Sequence, residues 1–254
     1  MSGGRPAWVR VPLTAGAVGA AAALALRGAA VSWPDIAVLV ALLVLLPLLA
    51  LLQAEMLQDM EVERIGAYVS SAVTLPALGG GAWLVGSRHG GAAALGLAPL
   101  SLGPFAAWTL TLVGAGLAVT VVFRAGGQRL GLRESRLLRD LLPRTGRERA
   151  AFTGLSLAAG AGEELAYRGY VIPVLGAVTG APVAAAVSSL VFGILHVYQG
   201  PLGMARTALL GGVLAWGFLA SGSLWPPMAA HAFLDILLGM ALAERMMVPE
   251  EPPA

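Results

Sequence analysis

From Ile36 to Ala54 the chain runs without a charged residue. A helix of about 20 apolar residues matches the roughly 30 Å hydrocarbon thickness of a bilayer, so this stretch reads as a membrane span. Further apolar runs occupy residues 11–31, 65–86, 104–123, 150–177, 181–199, 205–221 and 226–243. Only 12% of the residues are charged and the mean hydropathy is +0.80. A soluble domain carries roughly 25% charge, so most of this surface must meet lipid rather than water. Backbone polar groups in lipid have to be satisfied internally. The expected fold is therefore all-α, a polytopic transmembrane bundle of about eight helices with the lipid bilayer as its first partner. Little of the 254-residue chain is left for a separate soluble domain.

The first run is the weakest, since Arg27 interrupts it. Met1 to Arg10 carries two Arg before it, as a signal peptide would, but no small-x-small site precedes a polar mature domain. A retained helix is expected. All 16 basic residues are Arg, and eight of them fall between Arg124 and Arg149. Positive charge marks cytoplasmic loops, so this stretch is assigned to the cytoplasm. With four spans on each side of it, both termini are also expected there, in the cell's inner (plasma) membrane. The acidic stretch Gln53–Arg64 would face the same side. The mild basicity, with a pI of about 9.5, needs no nucleic-acid partner. The expected organisation is 1–123 for the first four helices, 124–149 for a basic amphipathic loop, 150–243 for the remaining helices and 244–254 for a tail. Leu137, Leu138, Leu141 and Leu142 have helical spacing within the basic loop, as in a helix lying on the inner membrane surface. Gly211, Gly212 and Gly217 offer a helix contact face.

Ionisable side chains inside a membrane are costly and usually face a functional interior. The second half of the chain has three such places. Glu163 and Glu164 are adjacent in an apolar run, and Glu164 pairs by i, i+4 spacing with Arg168. Glu163 is left without a local partner, which suits a general base for water. His196 closes Phe192-Gly193-Ile194-Leu195-His196 near a helix end. His231 and Asp235 share a helix face after Trp225-Pro226-Pro227, where the prolines suit a helix start. His89, the remaining His, is placed in an outer loop. The chain has no Cys, which excludes a thiol nucleophile, thiolate metal sites and disulfides. No Ser–His arrangement is evident, so water is the expected nucleophile.

In order and spacing, Glu163-Glu164-x-x-x-Arg168, Phe192-x-x-x-His196 and His231-x-x-x-Asp235 resemble the three motifs of the CPBP family. These are the CAAX-prenyl-endopeptidase, bacteriocin-processing and abortive-infection intramembrane proteases. The resemblance covers about residues 145–240, and the stretches Gly222–Pro227 and His196–Gly200 share it. It implies a helical bundle whose cavity opens toward the cytoplasm, and an endopeptidase acting on a membrane-associated protein or peptide. Glu163 and His196 would activate water, Glu164 and Arg168 would support the site, and His231 with residue 235 would hold the oxyanion. The best-known relatives carry Asn where this chain has Asp235. An ionised Asp only accepts hydrogen bonds, so Asp235 instead orients His231, donates when protonated, or binds a metal. By ligand type, Glu163, His196, His231 and Asp235 would suit zinc. No H-E-x-x-H is present, which favours a metal-free, glutamate-type reaction. Two other readings compete. A non-proteolytic scaffold or bacteriocin-immunity-type protein would tolerate degenerate motifs, and all three are intact. A proton-coupled transporter would need matching ionisable residues in the first half, and none is apparent there.

Overall fold

A computed structural model describes residues 31–57, 62–132 and 134–242. The expected first helix at 11–31 and the tail at 244–254 lie outside the described residues, as do both termini and part of the acidic stretch before Arg64. Joining helices that continue through π-type turns, the described residues form eight helices and no strand. Helix α1 runs through Trp33–Val40, a π turn at Ala41–Leu45, and Leu46–Leu57. Helix α2 is Arg64–Gly86, α3 Leu102–Leu130 and α4 Arg136–Asp140. Helix α5 runs through Gly146–Glu164, a π stretch at Leu165–Val171, and Ile172–Thr179. Helix α6 is Ala181–Leu195, α7 Gly200–Ser221, and α8 Trp225–Ile236 continuing through Leu237–Leu242. Seven of the eight apolar runs thus become helices.

Four of these helical stretches are long and apolar enough to cross a membrane: Trp33–Ala54, Arg64–His89, Leu102–Leu130 and Val197–Ser221. Their outward faces are apolar, with Val73, Leu84, Leu110 and Trp216 exposed. Helix α5, which carries Glu163, Glu164 and Arg168, is not among them and packs against α2, α8 and α6. This inversion, apolar outside and polar inside, follows from a lipid solvent.

The π turn of α1 has a local cause. Pro47 has no N–H, so a carbonyl one turn earlier loses its helical donor. The Leu42 carbonyl accepts instead from the Tyr167 hydroxyl at 3.2 Å, which ties α1 to the π stretch of α5. Glycine sets the next contacts. A Cβ at Gly79 would lie 2.8 Å from the Gly162 backbone, and one at Gly160 would lie 2.7 Å from the Met228 carbonyl. Backbone-to-backbone approach is what small residues permit in membranes. It presses α5 between α2 and α8 at the level of Glu163 and Glu164. Helix α5 opens with a capping box: Glu148 N–H donates to the Thr145 hydroxyl at 3.2 Å, and Thr145 N–H donates to the Glu148 carboxylate at 2.8 Å.

Three expectations need correction. The basic segment is not loop throughout, since α3 continues to Leu130 before ending on Gly131 in the left-handed region (φ +64°), and α5 begins at Gly146. The amphipathic helix α4 has only five residues, and Leu137, Leu138, Leu141 and Leu142 line a cavity. The strap they belong to is held at both ends. Ser135 Oγ donates to the Tyr198 carbonyl (2.5 Å) and Glu134 pairs with Arg206. At the other end, Arg64 and Tyr68 donate to the Asp140 and Leu141 carbonyls at 2.6 Å each. Finally, Gly211 and Gly217 do not share a face, the first packing on Arg168 and Phe192 and the second on Leu112.

Candidate active site

Glu164 and Arg168 are wholly buried and bond at 2.7 Å, as the i, i+4 spacing predicts. The guanidinium also lies over the Phe192 ring, 4.3 Å from its centroid. Sequence spacing did not reveal a further link: His231 Nδ1 lies 2.8 Å from the same Glu164 oxygen, joining α8 to α5. The two residues are too far apart in the chain for any periodicity to betray this contact. The other ring nitrogen, Nε2, is 3.6 Å from Glu163 Oε2 and 3.6 Å from Asp235 Oδ2. Both distances exceed hydrogen-bond length. Glu164, not Asp235, is therefore the hydrogen-bonded partner that orients His231.

His196 caps the end of α6, where its Nδ1 bonds the Phe192 carbonyl at 2.8 Å. A carbonyl only accepts, so Nδ1 carries the proton and Nε2 is left as an acceptor. Phe192 lies between the imidazoles, with ring centroids 4.7 Å from His196 and 5.8 Å from His231. Glu163, His196, His231 and Asp235 all line one cavity of about 770 Å³. Exposure is graded along it: His231 is 8% exposed, Glu163 13% and Asp235 41%. Arg206 and Gln199 line the same cavity, and Arg206 is paired with Glu134 there. The rest of the wall is mainly aliphatic, and much of it comes from α1, α2 and the strap.

Residues 146–237 match the family model described as type II CAAX prenyl endopeptidase Rce1-like. The chain carries an Rce1-like domain. This is the family to which the three motifs pointed, and the domain contains every one of them. No curated protein and no solved structure matches the chain. The four apolar spans and the Rce1-like domain together make this an integral membrane protein. For a metal, the donor set of the Rce1-like domain is poorly arranged. Among the described residues, no three His, Asp or Glu side chains are grouped to hold an ion.

The Rce1-like domain does not hold every buried acid. Asp35, in the first turn of α1, is 1% exposed. It meets His89 Nε2 at 2.9 Å, the Tyr170 hydroxyl at 2.9 Å and the Ser32 hydroxyl at 2.5 Å. The first half of the chain therefore does contain a buried acid with an ionisable partner, contrary to expectation, and that partner is the half-exposed His89 in the turn after α2.

Proposed function

We propose that the chain is an intramembrane endopeptidase of the glutamate type, which hydrolyses a peptide bond of a membrane-associated protein or peptide. The observation carrying this reading is the convergence of Glu163, His196 and His231, from three helices, on one partly solvated cavity. Glu163 and His196 Nε2 are acceptors available to a water there, with the more exposed Asp235 further along the cavity. Glu163 takes a proton as the water oxygen adds to the peptide carbonyl carbon. The same proton passes to the leaving nitrogen as the C–N bond breaks, so the reaction needs no co-reactant beyond water. His231 holds the oxyanion from Nε2. To donate there while Nδ1 donates to Glu164, it must carry both protons. Glu164 and Arg168 fix the imidazole and bring no acceptor to the water. Asp235, beside Nε2 at 3.6 Å, faces the doubly protonated ring.

The Arg-rich segment between α3 and α5 borders the cavity, which supports a cytoplasmic opening in an inner-membrane protein. The aliphatic wall suits an apolar segment of substrate rather than a charged one.

The test uses purified protein in lipid vesicles with a library of quenched fluorescent peptides, read by mass spectrometry for the bond cut. Glu163→Gln and His196→Ala should each abolish cleavage while inserting normally. Full activity in either variant would remove its role. Cleavage that persists after chelation and metal analysis supports water activation by side chains alone, and cleavage lost on chelation and restored by zinc overturns it.

A further inference from the structure

Two tyrosines on the π stretch of α5 reach out of the Rce1-like domain to the same neighbour. Tyr167 donates to the Leu42 carbonyl and Tyr170 to Asp35, both on α1. The stretch between them carries Arg168, whose partner Glu164 is the residue just before the π stretch begins. A π turn is wider and less favourable than an α turn, and persists where outside contacts hold it, often at functional sites. Tyr167 also packs edge-on against Phe192, the ring that separates the two imidazoles of the site (5.8 Å). The second contact, at Tyr170, is the firmer anchor. Tyr170 is buried, and Asp35 accepts its hydroxyl while also meeting Ser32 and the half-exposed His89 from the turn after α2.

We propose that Asp35, with Tyr170 and His89, is a positioning cluster for the proteolytic site: it pins the π stretch Leu165–Val171 from outside the Rce1-like domain and thereby sets the Glu164–Arg168–His231 contact. None of the three touches the reacting atoms. The cluster acts by fixing the turn from which Arg168 and Glu164 project. The proposal rests on the endopeptidase reading for its effect on rate but not for its geometry, and the two are tested separately.

The chain has three histidines and no cysteine. Uniform ¹⁵N-histidine labelling in detergent therefore yields three imidazole spectra, one from the cluster, one from the site through Glu164, and one from His196. Tyr170→Phe removes a single hydroxyl and keeps the ring. It should shift the His89 and His231 signals and leave His196 in place. A change confined to His89 would make the cluster local and overturn the proposal. Equal movement of all three would report general loosening and overturn it as well. In the cleavage assay, Tyr170→Phe and Asp35→Leu should lower kcat about tenfold with KM unchanged, as small misplacements of reacting groups do. Asp35→Asn keeps an acceptor for Tyr170 and should restore most of kcat. A wild-type protein that cleaves nothing would defeat the endopeptidase reading, and the His231 signal would still decide the positioning claim.

Discussion

The buried acids of this bundle differ in how far they are satisfied, and Asp35 and Glu164 mark the contrast. Both oxygens of Asp35 have partners, supplied by Ser32, His89 and Tyr170. In the other cluster, Glu164 Oε2 and Arg168 Nε and Nη2 find no hydrogen-bond partner among the described residues. Glu163 lies 3.6 Å from His231 Nε2, beyond hydrogen-bond length, and the group borders a cavity. A completed polar network makes structure rigid, whereas an incomplete one carries an energetic cost that evolution retains for a reason. Burial of an acid thus does not by itself mark a working site. Incomplete satisfaction next to open space, which Glu134 Oε2 shares, is what separates the Glu163–Glu164 group from Asp35.

The same isosteric change placed in each cluster puts this contrast to its hardest test. Glu163→Gln removes the proposed base and should cut hydrolysis by about 10²–10⁴-fold. Its thermal unfolding in detergent should match the parent, because no hydrogen bond of the carboxylate is lost. Asp35→Asn should do the reverse, leaving kcat close to the parent and lowering stability. If Asp35→Asn cost as much activity as Glu163→Gln, the division between a structural cluster and a working one would fail.

Within the working cluster, the buried Glu164–Arg168 pair should behave unlike an exposed one. Arg168→Met leaves Glu164 buried with only His231 as partner, and removal of one member of such a pair typically costs about 3–5 kcal/mol. A double variant, Arg168→Met with Glu164→Leu, removes the uncompensated charge. It should recover stability without recovering cleavage, since His231 then loses its anchor. Unfolding midpoints with cleavage rates measured on the same preparations separate the two effects. Equal stability of Arg168→Met and the parent would show that the pair is not held dry.

Much of the candidate site was legible because charge is scarce in this chain. Glu163, Glu164, Arg168, His196, His231 and Asp235 stand out against apolar helices, and i, i+4 spacing reports Glu164–Arg168 directly. The same spacing misassigned the neighbour of His231. Asp235 is one turn away in sequence, but His231 Nδ1 donates to Glu164, brought near by a helix crossing at Gly160 that no local pattern encodes. Asp35 escaped notice for a related reason. It follows Trp33-Pro34 at a helix start, where an acid reads as an ordinary cap, and its other partners arrive from distant α2 and α5 turns. The end of α3 was misplaced because Arg124 and Arg129 stop the apolar run, although a helix needs only backbone hydrogen bonds to continue to Gly131. The leucines of α4 have true helical spacing, yet tertiary bonds from Arg64 and Tyr68 turn them toward the cavity.

Asp35→Asn should cost about 1–2 kcal/mol, in keeping with weakened hydrogen bonds to a charged group. His89→Gln should cost less, because that side chain is 47% exposed and water replaces part of what it gives. An unfolding series in which His89→Gln exceeded Asp35→Asn would move the weight of the cluster from the buried acid to its partner.

The smallest expected effect lies outside both clusters, at the start of α5. Backbone N–H groups of Arg144 and Thr145 donate to Glu148, and Arg64 lies 3.5 Å away. Those backbone hydrogen bonds, first, and then the Arg64 charge hold the Glu148 carboxyl below its ordinary value of 4.5. A carboxylate whose folded pKa is depressed adds stability above its unfolded pKa and loses it as pH falls through the folded one. The capping box should therefore be intact at neutral pH and weaken progressively below pH 4.5. Glu148→Gln keeps an acceptor for the helix N-terminus but cannot titrate. The gap in unfolding temperature between the parent and Glu148→Gln should be small at neutral pH and close as the solution is acidified. A gap that instead widened on acidification would mean that the carboxyl is favoured in its protonated form and that the capping box is not what stabilises this end of α5.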